Sequence, residues 1–582
     1  MFKSIRQSWL TGLAVIGLTL AACTPAAPTT GSQAPAATSA GTTTEVTTTQ
    51  TTTTEVAAAP TGEFKPMKVA ADNCDYGGEF KSIEAVDAMT VKMTLCFPDP
   101  AFPSKVAFSS NGINDADYLE KTGGGGELIE HPNGTGPYML SEWKRGDQLI
   151  LKRFDGFWGE KAKTENLIFR WSAESAQRLV ELQAGTVDSI DNPGPDDFAT
   201  IEGDANLQLK TRSSQNVLYM GWNRSYPPFD NEKVRQAFAM AIDKDRLVAN
   251  FYPPGSSVAT QFMPPSLFGF TKEVDWYKYD PEQAKKLLTE AGVLPGFKTT
   301  LAYRDVVRGY FPNPGTIAQD IQAQLAAIGV DAKIEVMESG AFLDAAAAGE
   351  LKGLFLLGWG ADYPDATNFL DVHFGPGASK SFGPGFEDIW EQLKGGATHA
   401  TAEERYPFYV KANQLIKEHA PMIPIAHGGN AIAYKADVEG AYASAVGAEQ
   451  FALMNPGGRD TFIFMQNAEP ISIYCADETD GETLRACEQV MQSLLMFAPG
   501  TGEVAPSLAK EWSANADLTE WTFKLREGVK FHNGATLDAN DVVASYVAQW
   551  DAKSPLHKGR AGDFTYFTSL FTAFLNAPPA KQ

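Results

Sequence analysis

The chain has 582 residues, a hydrophobic content of 43% and a formal net charge of −23 at pH 7. This length exceeds what a single hydrophobic core usually supports, and it predicts several domains. The acidic balance argues against a nucleic-acid partner, because phosphate binding depends on Lys and Arg, but it permits a cationic or zwitterionic ligand.

The N-terminal 62 residues have the composition of an export signal followed by a tether. Two basic residues precede an apolar run over residues 10–20, which ends in Leu-Ala-Ala directly before Cys23. This arrangement is typical of a secretory signal, resembles a bacterial lipobox, and is too short for a membrane-spanning helix. We expect residues 1–22 to be a lipoprotein signal peptide and Cys23 to carry the lipid. Residues 23–62, rich in Thr, Ala and Pro, lack apolar periodicity and predict a flexible tether. We expect the protein to be anchored to the membrane, either in the periplasm or at the outer face of the cell membrane.

Four further cysteines follow the tether. An even number of cysteines in an exported chain favours disulfide bonds, and four of them allow three pairings. We expect Cys74–Cys96 and Cys475–Cys487, because each bond closes a short loop. Four unpaired buried thiols are the alternative.

From Phe64 onward the apolar pattern alternates between period two, which predicts strands, and a period near 3.6, which predicts helices. Predicted strands cover residues 89–97, 217–222, 330–336, 354–358, 461–465, 471–474 and 521–525. Predicted helices cover residues 175–184, 230–248, 280–292, 316–328, 341–348 and 402–419, with another that begins at Asp538. Residues 133–158 predict a hairpin around Gly146-Asp147. The alternation predicts an α/β protein, and residues 571–582 are expected to be a disordered tail.

The apolar strand 354–358 ends abruptly in aromatic and acidic residues, and this is the candidate ligand site. Asp362 and Asp365 would supply negative charge, and Trp359 and Tyr363 would supply flat apolar walls. The carboxyl ends of parallel strands are where open α/β sheets bind ligands. The alternative is an ordinary turn, because turns commonly collect Asp, Asn and Pro.

The motifs of common enzymes are missing from the sequence. Its histidines and cysteines show no zinc-ligand spacing, and it contains no Gly-x-Ser-x-Gly elbow. We therefore expect no metal, no cofactor and no catalysis. A secreted hydrolase that uses Asp362 and Asp365 is the alternative, although carboxylate pairs are common in so acidic a chain.

Four blocks of sequence carry more specific motifs. They are Gly134-Thr-Gly-Pro-Tyr138, the segment from Trp222 to Asp243, Tyr279-Asp-Pro-Glu-Gln-Ala-Lys-Lys-Leu-Leu288, and Trp521-Thr-Phe-Lys-Leu-Arg-Glu-Gly-Val-Lys-Phe-His-Asn-Gly534. Together they resemble the family 5 extracellular solute-binding proteins of ABC importers, the peptide- and nickel-binding group. The resemblance covers nearly all of residues 64–570.

The order of these blocks differs from the order in the family. Residues 467–570 would normally precede residue 64, so the chain looks circularly permuted, with the usual last strand, 461–465, joined to the usual first strand, 471–474. Permutation is tolerated when old termini lie close together and new ends fall in exposed loops. A misassembled reading frame is the alternative.

The resemblance implies a type II periplasmic-binding-protein-like fold, in which two α/β lobes surround a cleft and an extra subdomain is attached. Lobe I would comprise residues 133–225 and 456–490, and lobe II residues 226–455. The extra subdomain would combine residues 63–132 with residues 491–570, so that it is built from both ends of the folded chain.

The resemblance also implies a function. The protein would be a monomer that captures a peptide, or a similar cationic or zwitterionic solute, and delivers it to the permease and ATPase subunits of an importer. Asp362 falls at the family position that pairs with a peptide's α-amine. Some members hold the peptide carboxylate with an Arg just before the helix matching residues 317–328, but here Pro314-Gly-Thr316 contains none. The anchor for the far end of the ligand therefore stays open, and a ligand-sensing receptor module is a further alternative.

Overall fold

Three large β-sheets organise the residues that the computed structural model describes, which are 64–376, 378 and 380–577. The predicted signal peptide, the predicted tether and Cys23 lie outside these residues. In the described part of the chain, every helix is too short or too polar to cross a membrane.

The five-stranded sheet joins the two ends of the folded chain. Residues Thr90–Leu95 alternate between the core and the surface, and their buried side chains face the core shared with the C-terminal segment. Met93 lies opposite Trp521 in the antiparallel pairing that links the two ends. In order, the strands are Lys68–Ala70, Phe80–Asp87, Thr90–Leu95, Glu520–Leu525 and Ala509–Ala514. The helices associated with this part are Phe102–Ala107, Ala116–Thr122, Glu127–Glu130, Ala539–Trp550 and Thr565–Phe571.

The seven-stranded sheet contains the predicted hairpin, which is confirmed as two antiparallel strands around Gly146. Gly146 has a positive φ of 77°, a backbone conformation that favours glycine. In order, the strands are Tyr138–Lys144, Gln148–Arg153, Asn166–Trp171, Thr461–Gln466, Ser189–Asp191, Asn430–Lys435 and Leu207–Arg212. The helices Ser175–Gln183, Phe198–Gly203 and Gly481–Cys487 belong to this region.

The six-stranded sheet places the candidate-site strand in its interior. Leu354–Gly360 pairs in parallel with Phe297–Arg304 and antiparallel with Asn216–Trp222, so its apolar run is buried from both sides. In order, the strands are Ser257–Val258, Met422–His427, Asn216–Trp222, Leu354–Gly360, Phe297–Arg304 and Val330–Met337. The helices around it are Glu232–Ala241, Lys244–Phe251, Pro281–Glu290, Pro314–Ala327, Ser339–Ala348, Ala366–Phe374, Glu387–Ala397 and Ala402–His419. Two small sheets pair Val438–Glu439 with Asn455–Pro456 and Leu495–Phe497 with Val504–Pro506.

The predicted boundaries between the lobes are wrong at two strands. Asn216–Trp222 falls inside the range predicted for lobe I, 133–225, yet it is hydrogen-bonded in the six-stranded sheet. Asn430–Lys435 falls inside the range predicted for lobe II, 226–455, yet it is hydrogen-bonded in the seven-stranded sheet. The chain therefore crosses between these sheets just before each strand, not after it.

Two other predictions near the chain ends are corrected. Residues 471–474 form no strand: the N–H of Ile471 donates to the Thr483 hydroxyl at 2.7 Å, and the N–H of Ile473 donates to the Ile129 carbonyl at 3.1 Å. Part of the predicted disordered tail is packed: Phe571 and Leu575 are buried, and the N–H of Leu575 donates to the Trp550 carbonyl at 2.8 Å. Residues 578–582 lie outside the described part of the chain.

Both expected cysteine pairs are joined in the structure. Cys74 bonds to Cys96, and Cys475 bonds to Cys487, with Cα–Cα distances of 5.5 and 5.9 Å. The first bond lies in the region of the five-stranded sheet. The second ties the helix Gly481–Cys487 to the turn that precedes it.

Candidate functional site

A cavity of about 220 Å³ opens where the six-stranded and seven-stranded sheets meet. It lies beside the two crossings between the sheets, since Ser213 and Gln215 line it from one crossing and Asn430 from the other. Its size suits a small molecule, and sites of this kind commonly lie at the interface between domains. The cavity is the candidate binding site.

On the side of the seven-stranded sheet, the cavity is lined by three buried charged residues that pair with one another and with the buried Glu449 behind them. Arg212 contacts Asp191 and Glu449, each at 2.8 Å. Arg485 contacts the same two carboxylates, each at 3.0 Å. Burial by itself would raise the pKa of Asp191, but the two guanidinium groups lower it to about 2. The group of four therefore carries no net charge, and its ion pairs hold these side chains in place on this side of the cavity.

The opposite wall contains a cation without a charged partner. Arg308 lines the cavity and is half-buried, and among the described residues its side chain donates only to the Val307 carbonyl, at 3.2 Å. The position directly before the helix Pro314–Ala327, where such an Arg would be expected, contains none, and Arg308 was not predicted. The signal that could have found it is its position in the loop after the strand Phe297–Arg304, at a strand end of the kind that binds ligands.

Asp362 lies next to the cavity in the loop that follows the neighbouring parallel strand. Gly360 and Ala361 line the cavity, whereas Asp362 itself does not. Its Oδ2 accepts a hydrogen bond from Asn368 Nδ2 at 3.0 Å, and its Oδ1 accepts one from the Tyr566 hydroxyl at 3.1 Å. Burial raises the pKa of Asp362 to about 6, although both hydrogen bonds act to lower it. Ionising this carboxyl group therefore costs more free energy in the folded protein than in water.

Trp359 acts on this carboxylate through Asn368. The indole Nε1 donates to Asn368 Oδ1 at 3.3 Å, and the backbone N–H of Asp362 donates to the same oxygen at 3.0 Å. The indole also meets His373 edge-on, with ring centroids 4.8 Å apart. These contacts fix the amide of Asn368 so that its Nδ2 faces Asp362. Neither Asn368 nor Tyr566 was predicted from the sequence.

Tyr363 and Asp365 do not have the roles predicted for them. Tyr363 is only 2% exposed and packs into the core that the five-stranded and seven-stranded sheets share, so it cannot form a wall of the cavity. Asp365 caps the helix Ala366–Phe374 and forms a two-pronged pair with Arg405, at 2.9 and 2.8 Å. Both of its oxygens are therefore occupied by structural contacts, and it has no capacity left for a ligand.

Among the residues that the structure describes, no group of three or more His, Cys, Asp or Glu side chains is arranged to hold a metal ion. The charged groups at the cavity instead suit an organic molecule that carries both signs of charge.

Comparisons with known proteins connect this geometry to solute binding. The model of the bacterial extracellular solute-binding proteins, family 5 Middle, matches residues 40–381 and 503–564. The dipeptide-binding protein of Escherichia coli is 31% identical over 380 residues, which cover 63% of this chain and 70% of that protein. The heme-binding protein A of Haemophilus influenzae is 31% identical over 386 residues, covering 65% and 70%. The structure is similar to that of the ABC transporter-associated periplasmic binding protein DppA of Helicobacter pylori in complex with the peptide STSA, with a TM-score of 0.58, 28% identity and coverage of 65% and 74%.

Proposed function

Because this chain belongs to the bacterial extracellular solute-binding proteins of family 5, we propose that it binds a short peptide in the cavity between the six-stranded and seven-stranded sheets. The peptide's α-ammonium group pairs with Asp362, and its carboxylate pairs with Arg308. The predicted family and the predicted type II periplasmic-binding-protein fold are confirmed by these relatives. The identity of the ligand is the step that the proposal adds.

The proposal rests on two opposite charges that lie at the same end of two neighbouring strands. The loops that hold Arg308 and Asp362 follow neighbouring strands that run in parallel, so both loops leave the same edge of the sheet. Arg308 has no charged partner among the described residues, and the pKa of Asp362 is raised by burial. A zwitterionic molecule satisfies both groups, because a poorly solvated charge is costly unless it is paired.

Blocked peptides test the proposal. Isothermal titration calorimetry would compare trialanine with its N-acetylated and C-amidated forms. We expect each blocked form to bind about 100-fold more weakly, since each leaves one charge in the site unpaired. Equal affinity for all three forms, or binding of a sugar or a metal chelate in place of any peptide, would contradict the proposed ligand.

The proposal extends to transport and to anchoring. The bound solute passes to the permease and ATPase subunits of an ABC importer, the protein itself performs no chemistry, and it acts as a monomer held by a lipid on Cys23. Cys23→Ala should move the protein from the membrane fraction to the soluble fraction. The alternative of a hydrolase is disfavoured because Arg405 and Thr367 hold Asp365, which removes one of the two carboxylates that such an enzyme would use. A receptor module would be supported by a neighbouring kinase gene in place of permease and ATPase genes.

The order of the segments is part of the same proposal. We propose that the chain is a circular permutation of the usual family order. Two features support this: strands from both chain ends pair in the five-stranded sheet, and the match to the family model falls in two separate blocks. The intact mass of the protein purified from its native cells tests this, because a misassembled reading frame would give a different mass.

A further inference from the structure

We infer that Glu482 forms a subsite for a cationic side chain in the same cavity, so that the protein prefers peptides that contain Lys or Arg. This inference rests on the proposed function and deepens it. Glu482 lines the cavity from the side of the seven-stranded sheet and is 7% exposed. It lies in the first turn of the helix Gly481–Cys487, close to the strand Thr461–Gln466 of the seven-stranded sheet.

The position of Glu482 is fixed, and one of its oxygens has no partner. Asn467 Nδ2 donates to Glu482 Oε1 at 2.6 Å, and Gln466 Nε2 donates to the Glu482 backbone carbonyl at 3.2 Å. Among the described residues, no group donates a hydrogen bond to Oε2, and no cation forms a salt bridge with this carboxylate. A carboxylate so buried needs a cation or several donors, and the cavity is the place from which one can come.

The arginines nearby do not meet this need. Arg485 lies one turn further along the same helix, but its guanidinium is bound by Asp191 and Glu449, each at 3.0 Å. Arg212 is bound by the same two carboxylates. These four residues neutralise one another. Arg178 also interacts electrostatically with Glu482, but its guanidinium donates to backbone carbonyls, so among the described residues no cation forms a salt bridge with Glu482.

The cavity therefore presents different charges to different parts of a ligand. Arg308 on the opposite wall attracts an anionic group, and Asp362 lies behind Gly360 and Ala361 on that side. A neutral dipeptide or tripeptide has only one ammonium group, which the proposed function assigns to Asp362. A second cation, such as the ammonium of Lys or the guanidinium of Arg, would occupy the space next to Glu482.

Three matched peptide sets test the subsite by isothermal titration calorimetry. Each set is built on trialanine with one position replaced, the first, second or third. Within a set, the peptide with Lys at that position is compared with the peptides that have norleucine or Nε-acetyl-lysine there. We expect the Lys peptide of at least one set to bind about 10- to 100-fold more tightly than both neutral counterparts, as a charge-assisted hydrogen bond predicts. Glu482→Gln, which keeps an acceptor for Asn467, should abolish this preference.

The outcomes distinguish the subsite from the proposed function. Equal affinities within all three sets overturn the subsite alone, as does a Lys preference that persists in Glu482→Gln. If none of these peptides binds, the proposed function fails and the subsite fails with it. Glu511→Gln, at an exposed position on the strand Ala509–Ala514, is the matched control and should keep the preference. If Glu482→Gln does not fold, equal affinities within all three sets on the unsubstituted protein still overturn the subsite.

Discussion

Asp362→Asn is the substitution that most sharply separates binding from folding at this site. The amide keeps the shape of the side chain and both of its hydrogen bonds: its oxygen accepts from Asn368 Nδ2, and its NH₂ group donates to the Tyr566 hydroxyl. Only the negative charge is lost. We therefore expect peptide affinity to fall while the protein stays folded.

The size of the effect follows from the raised pKa of Asp362. A rise from 3.8 to about 6 means that ionising this carboxyl costs about 3 kcal/mol more in the folded protein than in water. A ligand ammonium group that pairs with the carboxylate recovers much of this cost. Loss of this ion pair in Asp362→Asn should weaken the binding of trialanine by about 100-fold.

Stability should change in the opposite direction. A carboxyl whose folded-state pKa lies above its unfolded value destabilises the fold increasingly as pH rises through the interval from 3.8 to about 6. The neutral amide avoids this cost, so the urea midpoint of Asp362→Asn at pH 7.5 should be equal to or above that of the unsubstituted protein. Titration calorimetry gives the affinity, and Asp331→Asn, on an exposed strand position, is the matched control. An unchanged trialanine affinity in Asp362→Asn would refute this reasoning.

Three further predictions concern pH and the neighbours of Asp362. Below about pH 6 the affinity for trialanine should fall about tenfold per pH unit, because protonation of Asp362 removes the partner of the ammonium group. Calorimetry of Asp362→Asn should find no such dependence of affinity on pH. If the dependence persists in this variant, a group other than Asp362 causes it. Tyr566→Phe removes a hydrogen bond that lowers the pKa of Asp362, so the onset of this fall should move to higher pH, and an unmoved onset would contradict the contact. Asp365→Asn leaves Arg405 buried without its charged partner and should cost about 3–5 kcal/mol in urea unfolding, with trialanine affinity retained; loss of affinity at unchanged stability would return Asp365 to the binding site.

The sequence located the site better than it assigned the roles within it. The apolar run before Trp359 predicted a buried strand, and the general rule about strand ends placed a ligand near Asp362. Periodicity stops where the strand ends, however, so nothing local showed that Tyr363 turns into the core while Gly360 and Ala361 line the cavity. Side-chain direction in an irregular loop is set by tertiary packing.

Long-range pairs explain the remaining errors. The partner of Asp365 is Arg405, 40 residues away, and the partner of Asp362 is Tyr566, 204 residues away. No spacing rule connects such residues before the fold is known. The predicted boundaries between the lobes were wrong for a related reason. The strand Asn216–Trp222 is buried along its whole length, so its apolar pattern does not show which sheet it joins.

A crystal structure of the protein with a bound tripeptide would show where the ligand lies and which groups hold it. We expect the peptide in the cavity between the six-stranded and seven-stranded sheets, with its α-ammonium nitrogen about 2.7–3.2 Å from a carboxylate oxygen of Asp362 and its carboxylate in contact with Arg308. A peptide bound elsewhere, or one in the cavity with its ammonium group away from Asp362, would contradict this expectation.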